Sequence, residues 1–166
     1  MNSKKGRQFD SSIAQAYIQL IRHAENFIYI ENQYFMGSAY CWLKHDDVNC
    51  HHTIPSEITQ RIIEKMSRNE HFTVYVLIPM FPEGDPGSIP IQEILFWQTR
   101  TIEMMYKNIG DAIQKYESDT HPTDWLVFLC PGTYLQRARI FENVQAKKLV
   151  KSNKSIFFVK LHFWQF

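Results

Sequence analysis

Three consecutive residues, Glu31-Asn32-Gln33, set a carboxylate and two carboxamides directly behind an apolar run, and Tyr34 adds a phenol. A carboxamide carries donors and an acceptor, so its NH2 can hold a phosphate oxygen without bringing a charge. The plain alternative is a strand that leaves the core here and turns polar as it meets water. A second group, Asp47, Cys50, His51 and His52, has metal-binding residue types. All four sit in one loop with no second cluster to complete a coordination shell, and a solvated loop accounts for them better. Cys41, Cys50 and Cys130 form no CxxC pair, which favours free thiols in a reducing, cytoplasmic setting.

The surrounding residues predict the elements that would position the polar run. Ile13, Ala16, Tyr17, Leu20, Ile21 and Ala24 recur at three- and four-residue steps, the mark of an amphipathic helix, with Ser11 or Ser12 to cap it. Asn26 to Ile30 is rich in β-branched and aromatic residues and predicts a buried strand, in which Tyr29 would serve packing. Residues 36–54 have no clear period and predict a loop. Pro55-Ser56-Glu57 opens a second helix with Ile58, Ile62, Ile63 and Met66 as its apolar face. Phe72 to Ile78 predicts a strand stopped by Pro79, and the proline- and glycine-rich segment 79–90 a loop. A long helix follows from about Ile91 to Tyr116. Ile94, Leu95, Thr101, Met104, Met105, Ile109 and Ile113 turn inward, and Trp97 reads as core. Asp124 to Cys130 predicts a third strand broken by Pro131-Gly132, and Ser155 to Val159 a fourth. This alternation predicts an α/β fold, a mixed, largely parallel sheet flanked by helices. Ligands of such sheets gather beyond the carboxyl ends of the strands, which is where Glu31-Asn32-Gln33 falls.

Composition narrows the partners. The 166 residues are 45% hydrophobic, enough for one packed core. Lys+Arg 18 against Asp+Glu 17 gives a net charge of +1, so no nucleic-acid footprint is expected. No apolar run approaches the ~20 residues of a membrane span, so any membrane contact would be peripheral. Lys147, Lys148, Lys151 and Lys154 form a basic run that fits a solvated segment better than an anionic lipid surface. The start, MNSKKGRQFD, has no apolar stretch, which speaks against a secretory signal and predicts a disordered N-terminus over residues 1–10.

Longer matches lift the polar run above a local pattern. Ile28 to Phe35 reads IYIENQYF, a signature found in eukaryotic phospholipases D. Ser12-Ile13, Ala16-Tyr17 and Ile21-Arg22 are similar to the helix that precedes it there. Pro79 to Gly84, PMFPEG, resembles PMWPEG of the plant enzymes, and Trp97 to Tyr106, WQTRTIEMMY, resembles their WQRRTMEMMY. Asp124 to Cys130 is similar to a strand ending in FFC. The chain thus resembles plant-type, C2-domain phospholipase D from about Ser12 to Cys130. Residues 11–135 would be the start of the second catalytic half, and residues 136–166 a divergent tail.

The resemblance implies hydrolysis of phosphatidylcholine-type phospholipids to phosphatidic acid and a free headgroup alcohol, with transfer to other alcohols as a variant. In that family two HxKxxxxD motifs supply one histidine as nucleophile and another as acid and base, while lysines offset phosphate charge. By the motif match Gln33 would touch the lipid phosphate or headgroup, and Glu31 and Asn32 would orient neighbours. Calcium is expected for the parent enzyme, in an N-terminal lipid-binding domain and the first catalytic half, and the partner is a phospholipid surface. The sequence departs from the family at one decisive point. None of its seven histidines has a lysine two positions on, and near the end Lys160-Leu161-His162 reverses the motif with no aspartate after it. Cys130-Pro131-Gly132 also stands where the plant pattern has CLGNRE. The expectation is an internal, catalytically silent fragment, whether truncated, read through or decayed. A noncatalytic lipid or phosphate binder and a nonfunctional product are the alternatives.

Overall fold

The computed structural model describes residues 11–42, 50, 52–133 and 156–160. The expected disorder over 1–10, Asp47 and His51 of the loop cluster, the basic run 147–154 and most of the tail 136–166 lie outside them.

Four strands form one sheet in the order β1-β2-β3-β4. β1 (Phe27–Glu31), β2 (Thr73–Leu77) and β3 (Leu126–Thr133) are parallel neighbours, and β4 (Ile156–Lys160) closes the far edge antiparallel to β3. The connections are helical: α1 (Ser12–His23) precedes β1, α2 (Ile54–Ser67) joins β1 to β2, and α3 (Ile89–Lys115) with the short α4 (Pro122–Trp125) joins β2 to β3. This is the mixed, largely parallel α/β sheet that the alternation predicts.

The periodic helices bury the faces their spacing requires. Ile58, Ile62 and Met66 of α2 and Ile102, Met104, Met105 and Ile109 of α3 pack against Val74, Val76 and Phe128 of the sheet. Ile94, Leu95, Trp97 and Ile113 are only half-buried. Trp97 stacks on Trp42, with ring centroids 5.4 Å apart. α1 is tied to α2 by the Arg22 guanidinium, which donates to both oxygens of Glu57 at 2.5 and 2.7 Å. The Arg61 guanidinium donates to the carbonyl of Ala24.

Four local expectations need correction. β1 is an edge strand, not a buried one: Phe27 is 63% and Tyr29 47% exposed. Its apolar run has two faces, and only Ile28 and Ile30 turn toward the core. Tyr29 therefore does little packing, and its hydroxyl instead donates to Glu31 at 2.5 Å. The face of α1 is mostly bare, with Ile13, Tyr17 and Leu20 exposed and Ile21 alone buried. Ser11 is the N-cap of α1, and its carbonyl accepts from Gln15 N, but its hydroxyl caps no backbone N–H and accepts from the Gln15 side chain instead. Finally, Asp124 and Trp125 belong to α4, where Asp124 and His121 form a reciprocal cap. β3 also runs through Pro131-Gly132, because β4 pairs with it there. Proline lacks an N–H, but on this strand the pairing survives one missing donor.

Candidate functional site

The polar run sits at the carboxyl end of β1, as the strand pattern requires. Parallel pairing continues one residue beyond the strand: Asn32 N donates to the Leu77 carbonyl at 3.0 Å, and Ile78 N to that of Leu129 at 2.9 Å. Glu31, Leu77, Leu129 and Lys160 lie in one row across the four strands, so the backbone of Lys160 reaches the same end of the sheet.

Beyond this row a shallow cleft of about 350 Å³ opens, lined by Glu31 of β1 with Asn32 and Gln33 just after it, Leu77 of β2 with Ile78 and Pro79 just after it, and Pro131 of β3. Proline has no N–H to offer a ligand. The carboxamides of Asn32 and Gln33 are therefore the side-chain donors of the cleft wall, and both residues are exposed. Among the described residues no lysine or arginine lines the cleft. Glu31 is held by the Tyr29 hydroxyl, and that bond pushes the Tyr29 phenol pKa up. The arrangement can orient an anion by neutral donors, and its described lining residues bring neither a cationic side chain nor an imidazole.

A second, larger groove of about 730 Å³ runs beside the first and shares Glu31 and Asn32 with it. Its walls are mostly apolar, from Tyr17, Leu20 and Ile21 of α1 and Phe27 and Tyr29 of β1. The sequence reading missed this groove because it assigned the face of α1 to the core.

The chain leaves the cleft through a tightly held segment. Phe35 is buried and meets Phe128 edge-on, with centroids 5.4 Å apart. Phe35 N donates to Gln98 Oε1 at 3.0 Å and Gly37 N to Thr101 Oγ1 at 3.1 Å, both on α3. A side chain at Gly37 would run into the His52 ring, since an ideal Cβ there clashes with Cε1, Nε2 and Nδ1 of that ring. His52 bonds the Met36 carbonyl at 2.6 Å and so serves as a strut for this loop. Among the described residues no three His, Cys, Asp or Glu side chains come together as a metal group. Cys41, Cys50 and Cys130 are free thiols, with pKa values pushed up chiefly by burial.

The fold is a mixed, largely parallel α/β sheet with amides at one strand end, and comparison with known proteins narrows its class. The phospholipase D family model matches residues 1–157. Phospholipase D delta of Arabidopsis thaliana is 51% identical over 123 residues, covering 74% of this chain and 14% of that protein. Phospholipase D alpha 1 of Carica papaya is 49% identical over 134 residues, covering 78% and 17%. Phospholipase D alpha 1 of Oryza sativa subsp. japonica is 48% identical over the same length, covering 78% and 16%. This chain belongs to the phospholipase D family, in its plant-type branch, and spans between 14% and 17% of the length of these relatives.

Proposed function

We propose that this chain carries the headgroup-facing strand end of a phospholipase D and that it does not cleave phospholipid alone. In the assembled enzyme the reaction would be hydrolysis of phosphatidylcholine-type lipids to phosphatidic acid and the free headgroup. The observation that carries this reading is the cleft at the carboxyl end of β1, where Gln33 and Asn32 offer neutral donors beside two proline-lined strand ends. Gln33 would donate an amide N–H to a phosphoryl oxygen, Asn32 would orient its neighbours, and Glu31, engaged by Tyr29, would set the rim. The nucleophile, the acid and the charge-offsetting lysines would have to come from HxKxxxxD motifs, and no histidine of this sequence begins one. An amide cannot replace an imidazole as proton carrier near neutral pH. By the family resemblance, any calcium requirement would fall to parts of the longer relatives beyond this chain. The same parts would cover its open sheet face, and membrane contact would be peripheral. No described helix is long and apolar enough to cross a bilayer.

Two assays test this reading. Choline release by the chain above a heat-killed control would refute its inactivity. For the site, the segment replaces its counterpart in an intact plant phospholipase D. There Gln33→Ala should lower turnover by roughly 10²-fold with an unchanged melting temperature, because one preorganised donor to developing charge is lost. Gln33→Glu should be at least as damaging, since a carboxylate repels the phosphate. Full activity of Gln33→Ala would leave the polar run a mere strand terminus. The apolar groove that shares Glu31 and Asn32 with the cleft favours one second reading, a noncatalytic lipid binder. Cosedimentation with phosphatidylcholine vesicles tests it, and a chain that stays in the supernatant rejects it.

A further inference from the structure

Two motifs that lie 63 and 64 residues apart in the chain meet at one place. The span Asn32–Phe35 is held at both ends. At its start Asn32 N donates to the Leu77 carbonyl of β2. At its end Phe35 N donates to Gln98 Oε1. Between them Gln33 and Tyr34 are exposed, while Phe35 is locked by its ring against Phe128. Two residues further, Gly37 N donates to Thr101 Oγ1, and the Thr101 hydroxyl lies 3.4 Å from the Gly37 carbonyl and 3.0 Å from that of Trp97.

Gln98 is 6% exposed and Thr101 0%. Neither is an ordinary choice for the buried face of a helix, where an apolar residue would pack without needing a partner. Their polar atoms satisfy backbone donors of a segment that belongs to no helix or strand and would otherwise bury those donors unpaired. The anchoring is also directional: an acceptor on a rigid 27-residue helix fixes where the loop leaves the sheet.

From this geometry we infer that Gln98 and Thr101 are positioning residues for the cleft, setting the direction of Gln33 through the backbone of Phe35 and Gly37. The inference rests on the reading of Gln33 given above. It also accounts for the pairing of the two sequence motifs, since Gln98 and Thr101 of one hold the exit of the other.

The test is residue-resolved amide hydrogen exchange on the full chain at low micromolar concentration, for Gln98→Ala, Thr101→Val and Thr101→Ser. The decisive amide is Asn32, whose own acceptor is on β2 and is left intact by all three substitutions. Its protection should fall roughly tenfold in Gln98→Ala and in Thr101→Val, while Val74 to Leu77 of β2 keep theirs, which separates loosening of the cleft from unfolding. Thr101→Ser retains the hydroxyl and should restore Asn32 to the original rate. Unchanged Asn32 protection in both Gln98→Ala and Thr101→Val would overturn the inference, as would loss of β2 protection in step with Asn32. A second arm adds dihexanoylphosphatidylcholine below its micelle concentration. Slower exchange over 32–35 supports the headgroup reading. No change there removes that reading and leaves the exchange result on Gln98 and Thr101 as it stands.

Discussion

The two faces of the sheet are built from the same kinds of residue and end in opposite states. On the inner face Val74, Val76, Leu126 and Phe128 are fully buried under α2 and α3. On the outer face the alternate residues form rows such as Tyr29, Tyr75 and Val127, and Phe27, Tyr29 and Tyr75 remain 63%, 47% and 37% exposed. Parallel sheets are ordinarily covered on both faces, so the contrast separates what this chain stabilises itself from what it presents. A hydrophobic strand pattern records a demand for cover, not the source of that cover.

The comparison can be broken from either side. The largest effect is expected from the inner face. Phe128→Ala removes a fully buried ring that touches Phe35 and Tyr106 and should cost about 3–5 kcal/mol in chemical denaturation. A loss below about 1 kcal/mol would mean that the inner face is not a packed core.

Next comes Tyr106, whose buried hydroxyl donates to the Leu126 carbonyl at 3.0 Å. Burial pushes its phenol pKa up to about 12 from 10. The folded state therefore disfavours the phenolate. Stability is intact below pH 10, where the unfolded chain also keeps the proton, and falls as pH rises from about 10 to about 12. The loss should be roughly 2–3 kcal/mol over that window. Tyr106→Phe should remove this part of the alkaline slope in denaturation curves taken at stepped pH. An unchanged slope would place the hydroxyl in contact with water.

The smallest change in folding stability is expected on the outer face. Phe27→Thr and Tyr75→Thr keep strand propensity and remove exposed aromatic surface. Each should alter stability by no more than about 0.5 kcal/mol. Together they should weaken concentration-dependent self-association in sedimentation velocity, because an open edge strand and an apolar face are the sites where chains adhere. Equal association of the double variant and the parent chain would show that this face is not adhesive.

Much of this fold was legible because the helical period states which face is buried. Ile58, Ile62 and Met66 on α2, and Met104, Met105 and Ile109 on α3, were placed inward by spacing alone and are buried. The position of Glu31-Asn32-Gln33 at a strand end was readable too, from the abrupt change of polarity. Layer and edge were less readable. Asn26 to Ile30 looks equally apolar in the centre of a sheet or at its rim, and only the strand order decides. The supports of the cleft were hidden for another reason. Gln98 and Thr101 act across more than sixty residues through backbone donors at Phe35 and Gly37, and backbone donors leave no mark on the identity of the residues that carry them. Thr101 was expected inward, but the polar role of Gln98 could be found only by asking why an amide sits on a buried helix face.

The parallel register also bears on how quickly the chain reaches this state. Phe27 pairs with Thr73, 46 positions away, and Val74 with Leu126, 52 positions away. Neither strand can gain its ladder until a long stretch of chain has closed, and the entropy of that closure precedes any reward. Local contacts form sooner, since α1 and α2 meet across a shorter interval through Arg22 and Glu57. Assembly would thus begin as a helical cluster and finish with the strands. The cleft, built from the ends of three of them, would be among the last parts to take shape.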